Sequence, residues 1–171
     1  MTILPILTYP DPRLKTIATP IAAVDDKVRT LARNMADTMY ASRGIGLAAT
    51  QVNVHQQIIV IDVSPNQDQL QVFINPLVIT QKGSIEFEEG CLSVPETLVK
   101  VTRAAEVTVE AVNLEGEKFS KDVEGLEAVC IQHEIDHLKG IVFVDYLSRL
   151  KRDRIGKKLV KLQKLAPDES S

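Results

Sequence analysis

Residues 133 to 137 read His-Glu-Ile-Asp-His, and this short segment holds two of the three histidines in the chain. In an α-helix, side chains four residues apart point in the same direction, with Cβ atoms roughly 5–6 Å apart. Two imidazoles placed in this way can bind one metal ion, and Glu134 can reach a water on that ion. A pattern this short also arises by chance, but the concentration of histidines within it favours a metal site.

A catalytic metal site needs a third protein ligand, which the downstream sequence does not supply convincingly. Metalloproteases that contain His-Glu-x-x-His take this ligand from downstream, and one variant has a histidine where this chain has Phe143. The only later glutamate is Glu169, close to the C terminus, and nothing in the spacing of Asp145 recommends it. The third ligand is therefore sought upstream.

The two cysteines of the chain are the upstream candidates. Cys130 lies three residues before His133 in the apolar row Val129-Cys130-Ile131. We interpret it as a core thiol, because three donors on one helix surround an ion poorly. Cys91 lies in a polar, glycine-containing segment that leaves a strand, so its thiolate can approach the metal from a separate loop. A disulfide between the two is disfavoured in the cytosol, and Cys91 is the better ligand candidate.

Three segments together resemble the signature motifs of the peptide deformylase family. They are Gly44-Ile45-Gly46-Leu47-Ala48-Ala49-Thr50-Gln51, Glu89-Gly90-Cys91-Leu92-Ser93 and Gln132-His133-Glu134-Ile135-Asp136-His137-Leu138. They follow the order found in the family, and the opening around Asp11-Pro12-Arg13-Leu14 and the total length are also similar. Ser42-Arg43 and the final tail match no signature of the family. The resemblance implies a metal-dependent hydrolase that removes the formyl group from the N-terminal formylmethionine of nascent polypeptides.

The resemblance also implies a role for individual residues. Glu134 would act as general acid and base towards a water that the metal activates. Gln51 and the backbone N–H of Leu92 would stabilise the oxyanion. One divalent ion would be bound, with Fe(II) expected natively and Zn, Ni or Co as possible substitutes. The implied metal ligands are Cys91, His133 and His137.

Candidate substrate-binding residues surround these motifs. Gly46 and Gly90 are expected where the substrate backbone passes close to the protein backbone. An apolar slot for the methionine side chain is expected from a further set, for which core packing is an equally good interpretation. This set comprises Ile45, Phe87, Leu126 and Val129.

Hydrophobic periodicity predicts the elements that position these residues. Helices are predicted over 25–43, over 125–138 with Leu126 on its inward face, and over about 146–165. The last has an apolar stripe of Ile155, Leu159 and Leu162 and a doubtful continuity at Gly156. Strands are predicted at 57–63, 72–80, 99–101 and 107–112, with an irregularity at Asn75-Pro76 and a hairpin turn over 113–117. The order predicts an α+β fold, with mainly antiparallel β-sheets packed around a central metal-binding helix and with a C-terminal helix.

Composition and charge place the chain among single-domain soluble proteins. Its 171 residues are 44% hydrophobic and 25% charged. Residues 1–165 are expected to form one catalytic domain and 166–171 a flexible tail. The N terminus resembles neither a signal nor a transit peptide, and no apolar run approaches the ~18 residues of a membrane span. We therefore expect a cytoplasmic protein with no membrane partner.

The predicted C-terminal helix is strongly basic. Residues 146–165 contain eight basic residues and one acidic residue, which gives a net charge of +7. A solvated surface is one explanation. In bacterial deformylases that this chain resembles, the segment docks on the ribosome near the nascent-chain exit, where RNA supplies phosphates. The residues expected to make such contacts are Lys157, Lys158, Lys161 and Lys164.

Three other functions are compatible with parts of the pattern. The first is a small metalloprotease, which Phe143 and the missing downstream glutamate speak against. The second is a closed zinc site that stabilises a ribosome- or RNA-binding module, which would leave Glu134 without a role. The third is a deformylase-like protein without activity, which the intact motifs disfavour. His55, in a polar turn, is assigned no function.

Overall fold

The chain folds into a five-stranded sheet and a two-stranded sheet, with one helix packed between the elements that carry the motifs. A computed structural model of the protein describes residues 2–165, so the predicted tail 166–171 lies outside the described residues. The α-helices are α1 (Asp26–Ala41), α2 (Gly125–Leu138) and α3 (Arg149–Leu165). Three short 3₁₀ helices are Pro12–Lys15, Ala49–Val52 and Phe143–Tyr146. The strands are β1 (Gly46–Ala48), β2 (Ile58–Ile61), β3 (Gln71–Lys82), β4 (Ile85–Cys91), β5 (Val94–Arg103), β6 (Glu106–Val112) and β7 (Lys118–Glu124).

All neighbouring strands in both sheets run antiparallel. The larger sheet has the order β1-β2-β3-β6-β7, and β4 and β5 form the smaller sheet. The pairing of β3 with β6 shifts between Ile74 and Leu77, at the predicted irregularity, because Pro76 has no N–H to donate to the ladder. The α+β prediction is thereby confirmed, although β1, β4 and β7 were not among the predicted strands and β5 was predicted only over 99–101.

Helix α1 covers one face of the larger sheet. The Asp25 side chain accepts a hydrogen bond from the Val28 N–H at 3.0 Å and so caps the first turn. Met35 and Met39, four residues apart, are fully buried in the same core cluster as Ile58. This packing holds the segment that follows α1, which contains the first motif, against the sheet.

Helix α2 has the bounds that the sequence predicts. The N–H of Gly140 donates to the His137 carbonyl at 3.1 Å and the N–H of Ile141 to the Asp136 carbonyl at 2.9 Å. This is a Schellman motif, and Gly140 has the positive φ of 76° that it requires. Ile131 and Ile135 pack into the core with strands of the larger sheet. The prediction that Leu126 faces inward is wrong, because its side chain is 40% exposed.

Helix α3 begins at Arg149, three residues later than predicted. The 3₁₀ helix Phe143–Tyr146 comes before it, residues 147–148 are not helical, and the Ser148 hydroxyl accepts a hydrogen bond from the Lys151 N–H at 3.3 Å at the observed start. Leu159 is buried, but Leu162 is exposed, so the predicted apolar stripe is shorter. None of the helices within residues 2–165 combines the length and the hydrophobicity that crossing a bilayer requires.

Gly156 does not interrupt α3, and its replacement should stabilise the protein. A Cβ added at Gly156 would lie 3.5 Å from Cε1 of Tyr9, an ordinary van der Waals contact. Because alanine loses less backbone entropy than glycine in a helix, we expect Gly156→Ala to raise the free energy of unfolding by about 0.5–1 kcal/mol. Urea denaturation measures this change. Gly140→Ala is the contrasting variant, since its Cβ would clash with the Lys15 carbonyl at a positive φ, and it should lower stability.

Candidate active site

Three potential metal-ligating side chains converge from two parts of the fold. One donor atom from each of Cys91, His133 and His137 lies within 4.8 Å of the others. Cys91 ends β4, and the two histidines lie one helical turn apart on α2, with ring centroids 5.0 Å apart. The Cys91 Sγ is 3.4 Å from Nε2 of His137. The structure therefore brings the three predicted ligands together.

The donor set fits a divalent transition metal. One thiol and two imidazoles suit Zn(II), Fe(II), Co(II) or Ni(II). Burial lowers the pKa of His137 well below its ordinary value, so this ring is neutral, as a metal ligand must be. The Nδ1 of His133 is engaged by a carboxylate oxygen of Glu89 at 2.8 Å, which leaves Nε2 available on the cluster side.

A buried ion network orients His133, and the sequence did not predict it. Glu89 receives two hydrogen bonds from the Arg103 guanidinium, both at 2.8 Å. The same guanidinium donates to Asp136 at 2.6 Å, and the Tyr146 hydroxyl donates to that carboxylate at 2.6 Å. Burial alone would raise the pKa of Glu89, but hydrogen bonds from Arg103 and His133 outweigh it and hold the pKa below its usual value. A charged Glu89 thus fixes the orientation of the imidazole.

One sequence signal could have identified Arg103. Val99, Val101 and Arg103 alternate along β5 and all face inward, with exposures of 3%, 4% and 6%. A charged residue at an inward position of an alternating strand requires a buried partner. The identity of that partner depends on packing between β5, β4 and α2, which no spacing within the sequence reveals.

Glu134 lies beside the ligand cluster with its carboxylate shielded from solvent. Glu134 is 2% exposed, and its Oε1 lies 3.8 Å from Nε2 of His133. Burial raises the pKa of Glu134 to about 7, because the carboxylate loses hydration. A cation at the cluster would favour the charged form and lower this pKa. A carboxyl group that titrates near neutrality is suited to accept and return a proton.

The Gln51 amide points towards the cluster from the 3₁₀ helix Ala49–Val52. Its Oε1 accepts a hydrogen bond from the Ala48 N–H at 2.9 Å, which orients the amide group. Its Nε2 donates to the Ser93 hydroxyl at 3.0 Å and lies 3.7 Å from the Cys91 Sγ. Ser93 was quoted within a motif but given no role. The structure thus places a fixed amide donor next to the thiol ligand.

A cleft of about 430 Å³ opens above the cluster, and every predicted substrate-binding residue lines it. Three of these side chains are substantially exposed, which excludes a role in the core: Ile45 is 45%, Leu126 40% and Phe87 36% exposed. Val129 is buried deeper in the wall. Gly46, Gly90 and Leu92 also line the cleft, so the first and second motifs both contribute to its wall.

The other side chains considered as ligands are not part of the donor cluster, although Cys130 borders the same cleft. Cys130 belongs to the hydrophobic core and its Sγ contacts the Ile45 carbonyl at 3.7 Å, which agrees with its interpretation as a core thiol. The Asp145 side chain accepts a hydrogen bond from the Val142 N–H at 3.0 Å. Phe143 packs its ring edge-on against His133, with centroids 5.5 Å apart. It supports the imidazole instead of ligating the metal.

Gly46 has no room for a side chain, and alanine there should damage the site. A Cβ on Gly46 would lie 2.8 Å from the Cys130 Sγ and 3.0 Å from Oε2 of Glu134, and both neighbours are buried. We expect Gly46→Ala to displace Glu134, to reduce turnover and to destabilise the fold by about 1–3 kcal/mol. Hydrolysis assays and urea denaturation measure the two effects. Gly156→Ala is the matched control, and an active, fully stable Gly46→Ala would contradict the close packing.

Comparison with known proteins agrees with this geometry. A sequence model described as polypeptide deformylase matches residues 3–153. The chain belongs to the peptide deformylase family. It is therefore a metal-dependent hydrolase that removes the N-formyl group from nascent peptides, and the metalloprotease and RNA-binding alternatives are set aside.

Individual relatives and solved structures of the family cover nearly the whole chain. Peptide deformylase 2 of Nitrosomonas europaea is 60% identical over 161 residues, which are 94% of this chain and 87% of that protein. The peptide deformylase of Teredinibacter turnerae is 57% identical and covers 96% of this chain and 98% of its own length. The crystal structure of a Legionella pneumophila peptide deformylase superimposes with a TM-score of 0.91 at 46% identity, covering 96% of this chain and 97% of that one. That of the Ehrlichia chaffeensis enzyme in complex with actinonin has a TM-score of 0.89 at 37% identity, with 94% and 98% covered.

Proposed function

We propose that the cleft is the site at which N-formylmethionyl peptides are deformylated, within a single catalytic domain of residues 1–165. Cys91, His133 and His137 hold one divalent ion, and Glu134 transfers the protons. The observation that carries this proposal is the convergence of the three donor atoms within 4.8 Å, with the Glu134 carboxylate beside them. The arrangement provides both a metal site and a general base at the bottom of one cleft.

The proposed chemistry breaks the formamide C–N bond. When bound, the divalent ion lowers the pKa of water from ~15.7 towards 7 and polarises the formyl carbonyl. Glu134 accepts a proton from the attacking water and donates one to the departing amine nitrogen, so that formate and a free N-terminus are released. The low exposure of Glu134 keeps bulk solvent from competing for this proton.

Gln51 and the N–H of Leu92 supply the donors for the developing oxyanion. The Gln51 amide is fixed by the Ala48 N–H, so its Nε2 needs little reorganisation. We expect Gln51→Ala to raise the activation free energy by about 2.7–4 kcal/mol, which lowers kcat about 10²–10³-fold. Steady-state kinetics test this. Ser93→Ala is the matched control, because it removes the hydroxyl that Gln51 binds and keeps the donor, and it should cost much less.

The apolar wall of the cleft accepts the methionine side chain. Ile45, Phe87 and Leu126 present exposed apolar surface at the rim, and Val129 lies deeper. Burying a methionine side chain against such a wall contributes about 1.5–3 kcal/mol. Gly46 and Gly90 line the cleft where the peptide backbone passes, but the Cβ position of Gly46 faces Cys130 and Glu134, so the close packing of these two side chains is what requires glycine there.

Formate release from formyl-Met-Ala-Ser tests the proposed function directly. The assay uses protein purified without oxygen and loaded with one equivalent of metal, and acetyl-Met-Ala-Ser is the control substrate. The larger acetyl group should be hydrolysed far more slowly. Absence of formate from the formylated peptide with metal-loaded protein would overturn the proposal.

For the native metal we propose Fe(II). The thiolate and imidazole donors accept it, and the cleft leaves the cluster open to water. A ferrous centre of this kind should lose activity rapidly in air, whereas Ni(II)- or Co(II)-loaded protein should keep it. Air-stable protein that is equally active with zinc would contradict the proposal.

We also propose that the enzyme acts in the cytoplasm, where translation supplies its substrate, and that α3 contacts the ribosome. Lys157, Lys158, Lys161 and Lys164 are all exposed on α3. Their positive charges are suited to phosphates, and binding should weaken steeply with salt. Truncation of α3 would expose the core around the buried Leu159, so the charges are better removed by substitution.

Co-sedimentation with ribosomes at several salt concentrations tests the contact. The test variant changes the four lysines of α3 to glutamine. A matched control changes four exposed lysines elsewhere, Lys27, Lys82, Lys118 and Lys139, to glutamine. The proposal requires that only the first variant loses binding, and equal binding by both would exclude it.

A further inference from the structure

Two charged residues of the cleft have a backbone conformation that charged residues rarely adopt. Among residues 2–165, five residues other than glycine have a positive φ: Arg43, Asn53, Gln67, Asn75 and Glu96. Only Arg43 and Glu96 carry a charge, both at φ 58°, and both line the cleft above the metal ligands. Side chains with a Cβ are disfavoured in this region, so a charged residue kept there suggests a role for its side chain.

The position of Arg43 at the end of α1 is one at which glycine is normally favoured. Its N–H donates to the Tyr40 carbonyl at 3.0 Å, and the Gly44 N–H donates to the Met39 carbonyl at 2.9 Å. These bonds terminate the helix through the backbone and make no use of the arginine side chain. Helix termination therefore does not explain why an arginine stands there.

Neither charge is neutralised by the protein. Within residues 2–165, the side chains of Arg43 and Glu96 take part in no ion pair and in no hydrogen bond. Both residues are exposed. In contrast, the charges deeper in the cleft are paired, as Glu89 is with Arg103. Among the residues that the structure describes, the cleft mouth thus offers one unpaired cation and one unpaired anion to a ligand.

The wall that carries Arg43 leads away from the reacting end of the substrate. Gly46 lies against Glu134, and Gly44 lies against the Leu92 side chain, where an added Cβ would be 2.7 Å from Cδ1. Arg43 comes next along the chain and, unlike Gly44 and Gly46, is exposed, which places it at the mouth of the cleft. Glu96 reaches the cleft from β5 of the smaller sheet, a separate element. A peptide with its formyl group near Glu134 must leave past this mouth, with the residues after methionine near these charges.

We propose that Arg43 is a specificity-determining residue that binds an acidic side chain among the first residues after the formylmethionine. Glu96, which lies on the other element, β5, favours a basic side chain of the peptide. The inference rests on the proposed function, because it requires a formylated peptide in this cleft. An exposed ion pair of this kind changes kcat/KM about 1.5- to 5-fold and is screened by salt.

Paired peptides measure the preference. C-terminally amidated formyl-Met-Asp-Ala-Ser and formyl-Met-Ala-Asp-Ser are each compared with the peptide in which asparagine replaces aspartate. The expected result at low salt is an Asp/Asn ratio of kcat/KM of about 1.5–5 at one position or both, mainly through KM, with a ratio near one in high salt. Arg43→Gln should abolish the preference, and Arg43→Glu should reverse it and favour lysine.

Two further variants keep the test decisive. Arg33→Gln removes an exposed arginine of α1 that does not line the cleft, and it should preserve the ratio. Glycine adopts a φ of 58° without strain, so Arg43→Gly replaces Arg43→Gln as the test variant if the latter folds poorly. A ratio near one in the native protein at both positions, or a ratio unchanged by loss of Arg43, overturns the inference while the hydrolysed asparagine peptides still support the proposed function. Failure to hydrolyse the asparagine peptides overturns both.

Discussion

Glu134→Gln should lower kcat by about 10²–10⁴-fold while the protein retains its metal. Glutamine keeps the shape of the side chain but can neither accept nor return a proton. Because the side chain is buried beside His133 and does not belong to the donor cluster, its replacement should leave the three ligands in place. Formate release and metal content, measured on the same preparation, separate the loss of proton transfer from the loss of metal.

The pH profile of kcat/KM provides a second test of Glu134 as the base. Glu134 acts as a base only when it is deprotonated, so kcat/KM should fall as the pH drops through its pKa. Burial raises this pKa to about 7, and a bound cation moves it down, so the acid limb should lie below pH 7. The matched control is Glu127→Gln. Glu127 lies on the same helix but pairs with Lys121, so this variant should keep both the turnover rate and the acid limb of the pH profile. Near-normal turnover by Glu134→Gln would exclude Glu134 as the base.

Cys91→Ser should weaken metal binding by more than about 100-fold and abolish turnover at equimolar metal. Loss of a residue that only supports a metal ligand typically costs 10–100-fold in affinity, so loss of a ligand itself should cost more. A serine hydroxyl stays protonated near neutral pH and is a poor substitute for a thiolate. Competition with a chelator gives the affinity, and formate release gives the activity.

The second cysteine supplies the control for this experiment. Cys130 is buried and does not belong to the donor cluster, so Cys130→Ser should retain the ion. If Cys91→Ser binds its ion as tightly as the native protein, the three-ligand site is wrong, and with it the proposed mechanism.

The parts of the structure that the sequence predicts are those determined by local patterns. The bounds of α2 follow from Gly140, whose positive φ ends the helix, and from the apolar spacing before it. The pairing of His133 with His137 follows from helix geometry alone. Cys91 was reached by excluding Phe143, and the structure shows why that exclusion is sound, since Phe143 packs against the ring of His133.

The parts that could not be predicted depend on contacts between distant segments. Arg103 joins Glu89 to Asp136 across three elements, and no local pattern encodes this triple contact. The late start of α3 depends on Tyr146, whose hydroxyl is held by Asp136 on another helix. Leu162 fits a helical stripe but lies beyond the part of α3 that reaches the core, so periodicity alone predicts its burial wrongly.

The division of the ligands between two elements makes the ion a reversible cross-link. Cys91 terminates the smaller sheet, whereas His137, 46 positions later, belongs to the helix that packs on the larger one. By mass action, free ion at 100 times its dissociation constant adds about 2.7 kcal/mol to the folding free energy. Depletion of the metal ion would therefore shorten the lifetime of the protein and also abolish its activity.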